Sequence, residues 1–326
     1  MKKRLISAST PTGNLTLGNY LGALKYWSDM QDVYECFFPV INIQAISPNQ
    51  NPKELQERTL SFLALYIACG IDPEKSKLFI QSQIKEHTEL FTILCALVSV
   101  NDLKLSNSRI GDINQELYSV GAQVFPISMA ADILIYQADL VPVGLDSRKD
   151  VEFVRLIASN FNRIFGPTFK VPDWYVPDIG GEIYSLQESD RKMSKSDKNK
   201  MNAIYLLDST EIIREKIAHS TIDSAMHIVF DPQKYPGISN LITIYSSLTG
   251  TNIHQVEKIF GDQPVQTFKT ALSDTICEKL MKIQCRYAQV IENKDYLNNI
   301  LEQGREKAVA EAQQIMIEIR EKVGLL

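Results

Sequence analysis

The spacing of apolar residues in the first half of the chain alternates between short apolar runs and helical periods. Runs rich in Ile, Val, Leu and Phe predict buried strands, and they fall at Arg4–Ser9, Cys36–Ile43, Lys77–Gln81 and Leu140–Val143. Apolar residues three or four positions apart predict helices between them, at 16–27, Pro52–Cys69, His87–Val98, Ala130–Tyr136 and Arg148–Phe165. This alternation is typical of a parallel sheet with helices on both faces. We therefore expect an α/β, Rossmann-like, doubly wound unit.

The second half of the chain, after about Leu186, shows helical periods and little strand signal. The predicted helices cover Leu206–Ile217, Gly237–Leu248, His254–Phe260, Phe268–Glu292 and Arg305–Lys322. The last helix carries an apolar stripe that must pack against another element, formed by Val309, Ala312, Met316, Ile319 and Val323. We therefore expect a Rossmann-like domain over 1–185 and an inserted all-helical domain over 186–294. The final helix, about 295–326, should pack back on the first domain.

Composition and charge narrow the class of protein. A chain of 326 residues with 44% hydrophobic and 22% charged residues suits two ordinary globular domains. No apolar run approaches the ~20 residues that cross a bilayer, and Leu5-Ile6 is too short for the core of a signal peptide. Five scattered cysteines suit free thiols rather than a metal site. The net charge of −5 argues weakly against a protein that coats nucleic acid, but it is compatible with local basic patches on an acidic protein. We expect a cytoplasmic protein with no membrane partner.

The first candidate site follows the first predicted strand. A small-residue turn, Thr10-Pro11-Thr12-Gly13, precedes a helix that starts at Thr16-Leu17-Gly18-Asn19. Free backbone N–H groups and the positive end of the helix dipole favour phosphate at such a place. Gly18 permits close approach of a nucleotide, while Thr16 and Asn19 add hydrogen-bonding side chains. A glycine near a helix start is usually only a turn, so this signal is weak by itself.

The second candidate is a lysine-rich string, Lys192-Met193-Ser194-Lys195-Ser196. A lysine-rich segment is ordinarily a solvated surface loop. Two ammonium groups on a mobile loop can also close over a triphosphate, where they stabilise the charge that develops as pyrophosphate leaves. The five-residue match favours this second interpretation.

The third candidate is Asp132, an acidic residue in a predicted helix rich in Met, Ala, Ile and Leu. It is either a solvent-facing carboxylate or the acceptor at the back of an apolar pocket. In the second case it could accept the one hydrogen bond that an indole N–H donates. The residues alone leave both interpretations open.

Together these segments resemble the class I aminoacyl-tRNA synthetases, in the branch that contains the tyrosyl and tryptophanyl enzymes. Thr16–Asn19 and Lys192–Ser196 are similar to the signature pair of the class, and the resemblance extends from Ser7 into the final helix. Four further strings point to the tryptophanyl side of the branch: NYLGAL from Asn19, GIDPEKS from Gly70, MAAD from Met129 and PGISNL from Pro236.

The resemblance implies an activity, substrates, partners and the residues of two binding sites. It implies activation of L-tryptophan by ATP with substrate-borne Mg²⁺, transfer to tRNA(Trp), a helical domain that reads the anticodon, and a homodimer. No protein metal site is implied. Lys192, Lys195, Thr16 and Asn19 would be catalytic. The ATP site would comprise Thr10, Pro11, Thr12, Gly18, Asn19, Gly144, Leu145, Asp146, Ile183 and Lys192, Met193, Ser194, Lys195, Ser196. The tryptophan site would comprise Asp132, Met129, Ile133, Val141, Val143, Ile6, Gln44, Ser147 and Asp150.

Several residues around the expected amino-acid site depart from the family pattern. Phe125 occupies the place of a tyrosine, Ser147 that of a glutamine and Asp150 that of a histidine, and the second predicted strand ends in Asn42-Ile43-Gln44. Gln44, Ser147 or Asp150 is a candidate for a replacement contact to the substrate amine. The alternative, slightly favoured, interpretation of Asp150 is a surface carboxylate on the predicted helix Arg148–Phe165. Two other functions stay open: a paralogue that activates another aromatic or tryptophan-like acid, and a non-catalytic regulator that binds tRNA or tryptophan.

Overall fold

A computed structural model describes residues 2–48, 50–106, 119–144, 147–176, 181–224 and 227–326. Within these ranges the sheet has five parallel strands: β1 (Arg4–Ile6), β2 (Glu35–Val40), β3 (Ser76–Ile80), β4 (Leu140–Pro142) and β5 (Asp173–Tyr175). Their spatial order is β3-β2-β1-β4-β5. The chain moves outward from β1 to β3 and then crosses to β4 on the other side of β1. The carboxyl ends of β1 and β4 therefore form a topological switch point, where such folds open a ligand crevice.

The helices of the first half cover the two faces of this sheet. They are α1 (Leu17–Asn19), α2 (Lys25–Met30), α3 (Pro52–Ala68), α4 (Glu86–Cys95), α5 (Val100–Ser106), α6 (Val120–Leu134) and α7 (Arg148–Phe165). A π-helical turn, Tyr20–Leu24, joins α1 and α2 into one helical run. Two separate hydrophobic cores lie on opposite faces of the sheet, with Leu5 in one and Ile6 in the other. The predicted doubly wound Rossmann-like fold is confirmed.

The second half of the chain is helical after the loop that contains Lys192–Ser196. Its helices are α8 (Thr210–Ala218), α9 (Pro236–Thr249), α10 (Ile253–Phe260), α11 (Val265–Glu292) and α12 (Lys294–Val323). α11 contacts α3, α8 and α9, whereas α12 turns back onto β3 and α4. The predicted stripe of α12 packs into the core, with Ala312, Met316 and Ile319 fully buried. The domain boundaries at 185 and 294 stay a prediction.

The close packing of α12 on the sheet depends on one glycine. A Cβ atom added at Gly304 would lie 1.8 Å from the carbonyl oxygen of Leu78 in β3. Only a residue without a side chain allows the two backbones to approach this closely. The periodicity of the sequence predicts that α12 packs on another element, but it does not reveal this requirement.

The differences between predicted and observed elements have local causes. α7 has the predicted bounds, and α12 begins at Lys294, close to the predicted start of the final helix. α6 begins ten residues earlier than predicted, because Gly121 and Pro126 are unfavourable inside a helix and weaken the helical signal of its first half. β5 was not predicted, since three residues at an edge of the sheet with exposed ends carry almost no pattern. The short helix α5 was missed as well. No helix in the described ranges has the length and apolar character needed to span a membrane.

Candidate active site

A cleft of about 290 Å³ opens at the carboxyl ends of β1 and β4. Its walls come from the segment after β1, from the helical run that begins with α1, from α6 and from the end of β4. Fourteen of the residues predicted for the ATP and tryptophan sites line it: Ile6, Thr10, Gly18, Asn19, Gln44, Met129, Asp132, Ile133, Val141, Val143, Gly144, Ser147, Asp150 and Lys192. The fold therefore brings both predicted sites into one cavity.

The carboxylate of Asp132 lies in this cleft, although the residue is only 6% exposed. The side-chain amide of Gln81 donates to both of its oxygens, at 2.8 and 2.9 Å. The Gln44 amide donates to Oδ2 at 3.0 Å, and Nδ1 of His87 lies 2.6 Å from Oδ1. A buried carboxylate needs such donors because desolvation disfavours its charge. The interpretation of Asp132 as a surface carboxylate is therefore wrong.

The rest of this end of the cleft is largely apolar. Its walls are Ile6, Phe125, Met129, Ile133, Val141 and Val143. Asp132 provides an acceptor among these apolar groups, which suits a flat hydrophobic ring with one N–H donor. Ser147 and Asp150 lie on the same cleft wall near the start of α7. Gln44 donates to Ser128 and Asp132, so its amide nitrogen is engaged with the acceptor at this end.

At the other end of the cleft, the start of the first helical run is fixed by a reciprocal cap. The Thr16 hydroxyl accepts from the backbone N–H of Asn19, and the Asn19 side-chain oxygen accepts from the backbone N–H of Thr16. Thr16 is fully buried, whereas Asn19 lines the cleft. The contacts of Thr16 are those of a helix cap, which satisfies backbone donors that would otherwise be unpaired.

The two lysines of the Lys192–Ser196 string point in different directions. Lys192 lines the cleft. Lys195 instead donates to the Ser9 hydroxyl at 3.1 Å and to the Thr10 carbonyl, with its ammonium 5.6 Å from the centre of the Phe62 ring. Burial lowers the pKa of Lys195 from 10.5 to about 8. The lysine loop is thus closed onto the loop after β1, and a Cβ at Gly13 would lie 2.1 Å from the Lys195 carbonyl oxygen.

Behind the lysines, the loop is anchored to the body of the protein. Met193 is buried against Gly18, and its backbone N–H donates to Ile183 at 2.8 Å. The side-chain amide of Asn202 donates to Glu188 and to Asp197. Arg191 pairs with Glu188, and this hydrogen bond lowers the pKa of the Glu188 carboxyl. These contacts fix the two ends of the loop and leave its lysines next to the cleft.

Some predicted residues lie beside the cleft rather than on its wall. They are Pro11, Thr12, Thr16, Ile183, Met193, Ser194, Lys195 and Ser196. Leu145 and Asp146 lie outside the described residues. Sequence reasoning missed Gln81, His87 and Tyr136, which support Asp132 from behind. The available signal was weak: a glutamine at the end of an apolar strand and a histidine at the start of an apolar helix.

No cluster of three His, Cys, Asp or Glu residues that could hold a metal ion occurs in the part of the chain that the structure describes.

The family model for class I tRNA synthetases (W and Y) matches residues 2–282. The chain belongs to this family. The match includes the cleft, the lysine loop and most of the helical second half, so the predicted family resemblance is confirmed.

Relatives of this synthetase resemble it over nearly the whole chain. The tryptophan–tRNA ligase of Clostridium tetani is 39% identical over 331 residues, which cover 100% of this chain and 96% of the relative. The tryptophanyl-tRNA synthetase structure from Mycoplasma pneumoniae is 28% identical, with a TM-score of 0.91, and covers 99% of this chain and 98% of that one. The Campylobacter jejuni synthetase, complexed with ADP and tryptophan, is also 28% identical. It has a TM-score of 0.81 and covers 98% of this chain and 99% of that one.

Proposed function

We propose that this synthetase activates L-tryptophan with ATP and transfers it to tRNA(Trp). The main observation in favour of tryptophan as the substrate is the buried carboxylate of Asp132, a hydrogen-bond acceptor at the apolar end of the cleft. An indole ring suits the apolar walls, and its single N–H can donate to this carboxylate. The relatives named as tryptophan–tRNA ligases support the same substrate.

The reaction has two steps in this cleft. The tryptophan carboxylate attacks the α-phosphorus of ATP, the bond to the leaving pyrophosphate breaks, and tryptophanyl-adenylate forms. The terminal adenosine hydroxyl of tRNA(Trp) then attacks the activated carbonyl, and AMP leaves. The protein contributes chiefly by holding the reactants together and by stabilising charge. Mg²⁺ arrives with ATP as part of the substrate.

The phosphates of ATP would lie between the loop after β1 and the lysine loop. Thr10, Gly18 and Asn19 from the first loop and helical run line the cleft, as does Lys192 from the lysine loop. Lys195 is close to this position but is held by Ser9 and Thr10. We propose that ATP draws the Lys195 ammonium from these oxygens to the phosphates, where it stabilises the leaving pyrophosphate.

The substrate amine would lie near Ser147 and Asp150. Gln44 was a third candidate for this contact, but its amide is directed to Asp132 and Ser128. Replacing Asp150 with Ala should raise the KM for tryptophan about tenfold, because a hydrogen bond to a charged group is worth ~1.5–3 kcal/mol. An unchanged KM would exclude Asp150 and leave Ser147 as the candidate.

The helical region 186–294 would read the anticodon, and the enzyme would act as a homodimer. Both proposals rest on the family resemblance. A tRNA(Trp) with an altered anticodon should be charged with lower kcat/KM, and sedimentation equilibrium should give twice the chain mass. The cytoplasmic location stays a prediction.

The deciding experiment is ATP–pyrophosphate exchange by the purified protein with tryptophan, tyrosine, phenylalanine or no amino acid. We expect exchange with tryptophan only, followed by charging of tRNA(Trp). Loss of exchange in Lys195→Ala would also exclude a purely binding role for the lysine loop. Exchange with tyrosine, or with none of these acids, would contradict the proposed substrate and favour the paralogue or the binding protein.

A further inference from the structure

The Asp132 carboxylate is supported by two residues that do not touch the cleft. Gln81 and His87 are each 2% exposed and approach Asp132 from the side away from the cavity, whereas Gln44 lines the cavity. Oδ1 receives hydrogen bonds from Gln81 and His87, and Oδ2 is shared by Gln81 and Gln44. Oδ2 is thus the oxygen that accepts from the cleft-lining amide of Gln44, whereas both partners of Oδ1, Gln81 and His87, lie on the side away from the cavity.

His87 connects this carboxylate to a second buried group. Its Nε2 atom lies 2.7 Å from the hydroxyl of Tyr136. Burial raises the pKa of Tyr136 well above its usual value, so the hydroxyl keeps its proton and can donate. Because Nε2 then accepts from Tyr136, the ring proton lies on Nδ1, which donates to Asp132. In this arrangement every polar hydrogen of the three side chains has an acceptor.

The geometry of the surrounding elements prevents His87 from turning away. Asp132 is in the last turn of α6 and Tyr136 lies two residues beyond its end, and His87 reaches both from α4. The Tyr136 ring stacks on Phe37 at 4.8 Å and meets Phe79 edge-on at 5.5 Å. The His87 ring lies beside those of Tyr136 and Phe79, at 5.4 and 6.3 Å, and a histidine held on both nitrogens and packed in this way keeps one orientation.

We propose that His87 is a positioning residue that sets the selectivity of the cleft for a ring with an N–H donor. Together with Tyr136, it fixes Oδ1 of Asp132, so that Oδ2 is presented to the cavity. Oδ2 accepts from the cleft-lining Gln44 amide, and the ring N–H of the substrate would donate to this same oxygen. The inference rests on the proposed activation of tryptophan, because it concerns how the same site recognises the ring.

The test compares tryptophan with 3-benzothienylalanine, in which sulfur replaces the ring N–H. The KM of each acid is measured by ATP–pyrophosphate exchange in the native enzyme and in Tyr136→Phe, His87→Leu and His87→Asn. In Tyr136→Phe we expect the KM for tryptophan to rise about fivefold, with kcat and the KM for the sulfur analogue little changed. His87→Leu should raise it about thirtyfold. His87→Asn should recover part of this loss, since its amide can donate to Oδ1 from a similar position.

Two controls separate positioning from folding. Tyr296→Phe removes a hydroxyl from a residue that is 40% exposed and does not line the cleft, so it should leave both KM values unchanged. Unfolding midpoints show whether each variant folds, and Tyr136→Phe keeps the packed ring if His87→Leu does not fold.

The outcomes distinguish this inference from the proposed function. A native enzyme that does not prefer tryptophan to the sulfur analogue would overturn both. A native preference that stays unchanged in folded Tyr136→Phe and His87→Leu would overturn the role of His87 alone. An equal rise in both KM values would also overturn it, because a purely structural defect does not depend on the ring N–H.

Discussion

The two ends of the cleft are built in opposite ways. At the proposed amino-acid end, the buried side chains of Gln81 and His87 hold Asp132 from behind and Gln44 contacts it from the cleft, so each of its oxygens accepts two hydrogen bonds. At the ATP end, two loops contact each other through Lys195 and the backbone at Gly13. A buried, satisfied network resists rearrangement, whereas a contact between loops can open and close. We therefore predict that recognition of the ring depends on the rigid end of the cleft and that handling of phosphate depends on its movable end.

The largest effect is expected from a substitution at the rigid end of the cleft. Asp132→Asn keeps the shape of the side chain but places an amide among three donors and removes the charge. The KM for tryptophan should rise at least ~100-fold, because a site built for a hydrogen bond discriminates strongly when the partner is lost. Amino-acid-dependent exchange measures it, and the Kd for ATP should change less than about threefold.

The matched control for this change is Asp139→Asn. Asp139 lies next to the start of β4, at the end of the sheet away from the cleft, where it pairs with Lys170. This variant should retain the KM for tryptophan. Equal losses in both variants would show that Asp132 contributes only to folding.

The second effect concerns the packing behind the rigid end. Gly304→Ala places a methyl group against the Leu78 carbonyl and forces α12 away from β3, the strand that precedes Gln81. The free energy of unfolding should fall by about 2–3 kcal/mol, as measured by denaturant titration. Gly121→Ala is the control, since among the described residues its new methyl group meets only the Ser119 hydroxyl oxygen, at 3.7 Å. A Gly304→Ala enzyme of unchanged stability would contradict the close packing described here.

The third effect is expected from a second glycine-to-alanine substitution, at the movable end of the cleft. Gly13→Ala collides with the Lys195 carbonyl, but both residues lie in loops outside the helices and strands, so we expect the loops to separate. The free energy of unfolding should change by less than about 1 kcal/mol, while the KM for ATP rises roughly tenfold because the closed arrangement is lost. Thermal unfolding and exchange kinetics measure the two quantities. A loss of stability as large as that of Gly304→Ala would show that the two ends do not differ.

The smallest effect is a pH dependence. Burial lowers the pKa of Lys195 to about 8, whereas a solvent-exposed lysine keeps its proton up to about 10.5. The buried contact with Ser9 and Thr10 therefore becomes more stable as pH rises from about 8 to about 10.5. Drawing a charged Lys195 to ATP becomes harder over the same range, and the KM for ATP should rise severalfold. Exchange kinetics between pH 7 and 9.5 measure this rise.

A substitution within the same string provides the control for the pH dependence. Lys195→Arg carries a guanidinium that stays charged throughout this range, so the rise should disappear. Lys192→Arg should keep it, because Lys195 is unchanged there. A rise with the same midpoint in Lys195→Arg would assign the titration to another group.

The sequence by itself determined the features that depend on neighbouring residues. Apolar runs and helical periods predicted four of the five strands and most helices, and the string Lys192–Ser196 together with Thr16–Asn19 indicated the family. These signals arise from local backbone preferences and from the regular spacing of buried residues, so they are visible in short stretches of sequence. For the same reason the three-residue edge strand β5, which has almost no period, was missed.

The tertiary structure alone decided which residues support the predicted ones. Gln44, Gln81 and His87 meet Asp132 from 88, 51 and 45 residues away along the chain. Lys195 meets Ser9 across 186 residues, and Gly304 meets Leu78 from the final helix. Such contacts depend on how the sheet and helices pack, and no local pattern of the chain records them. A buried carboxylate is tolerated only when distant donors converge on it, and that convergence is a property of the folded molecule.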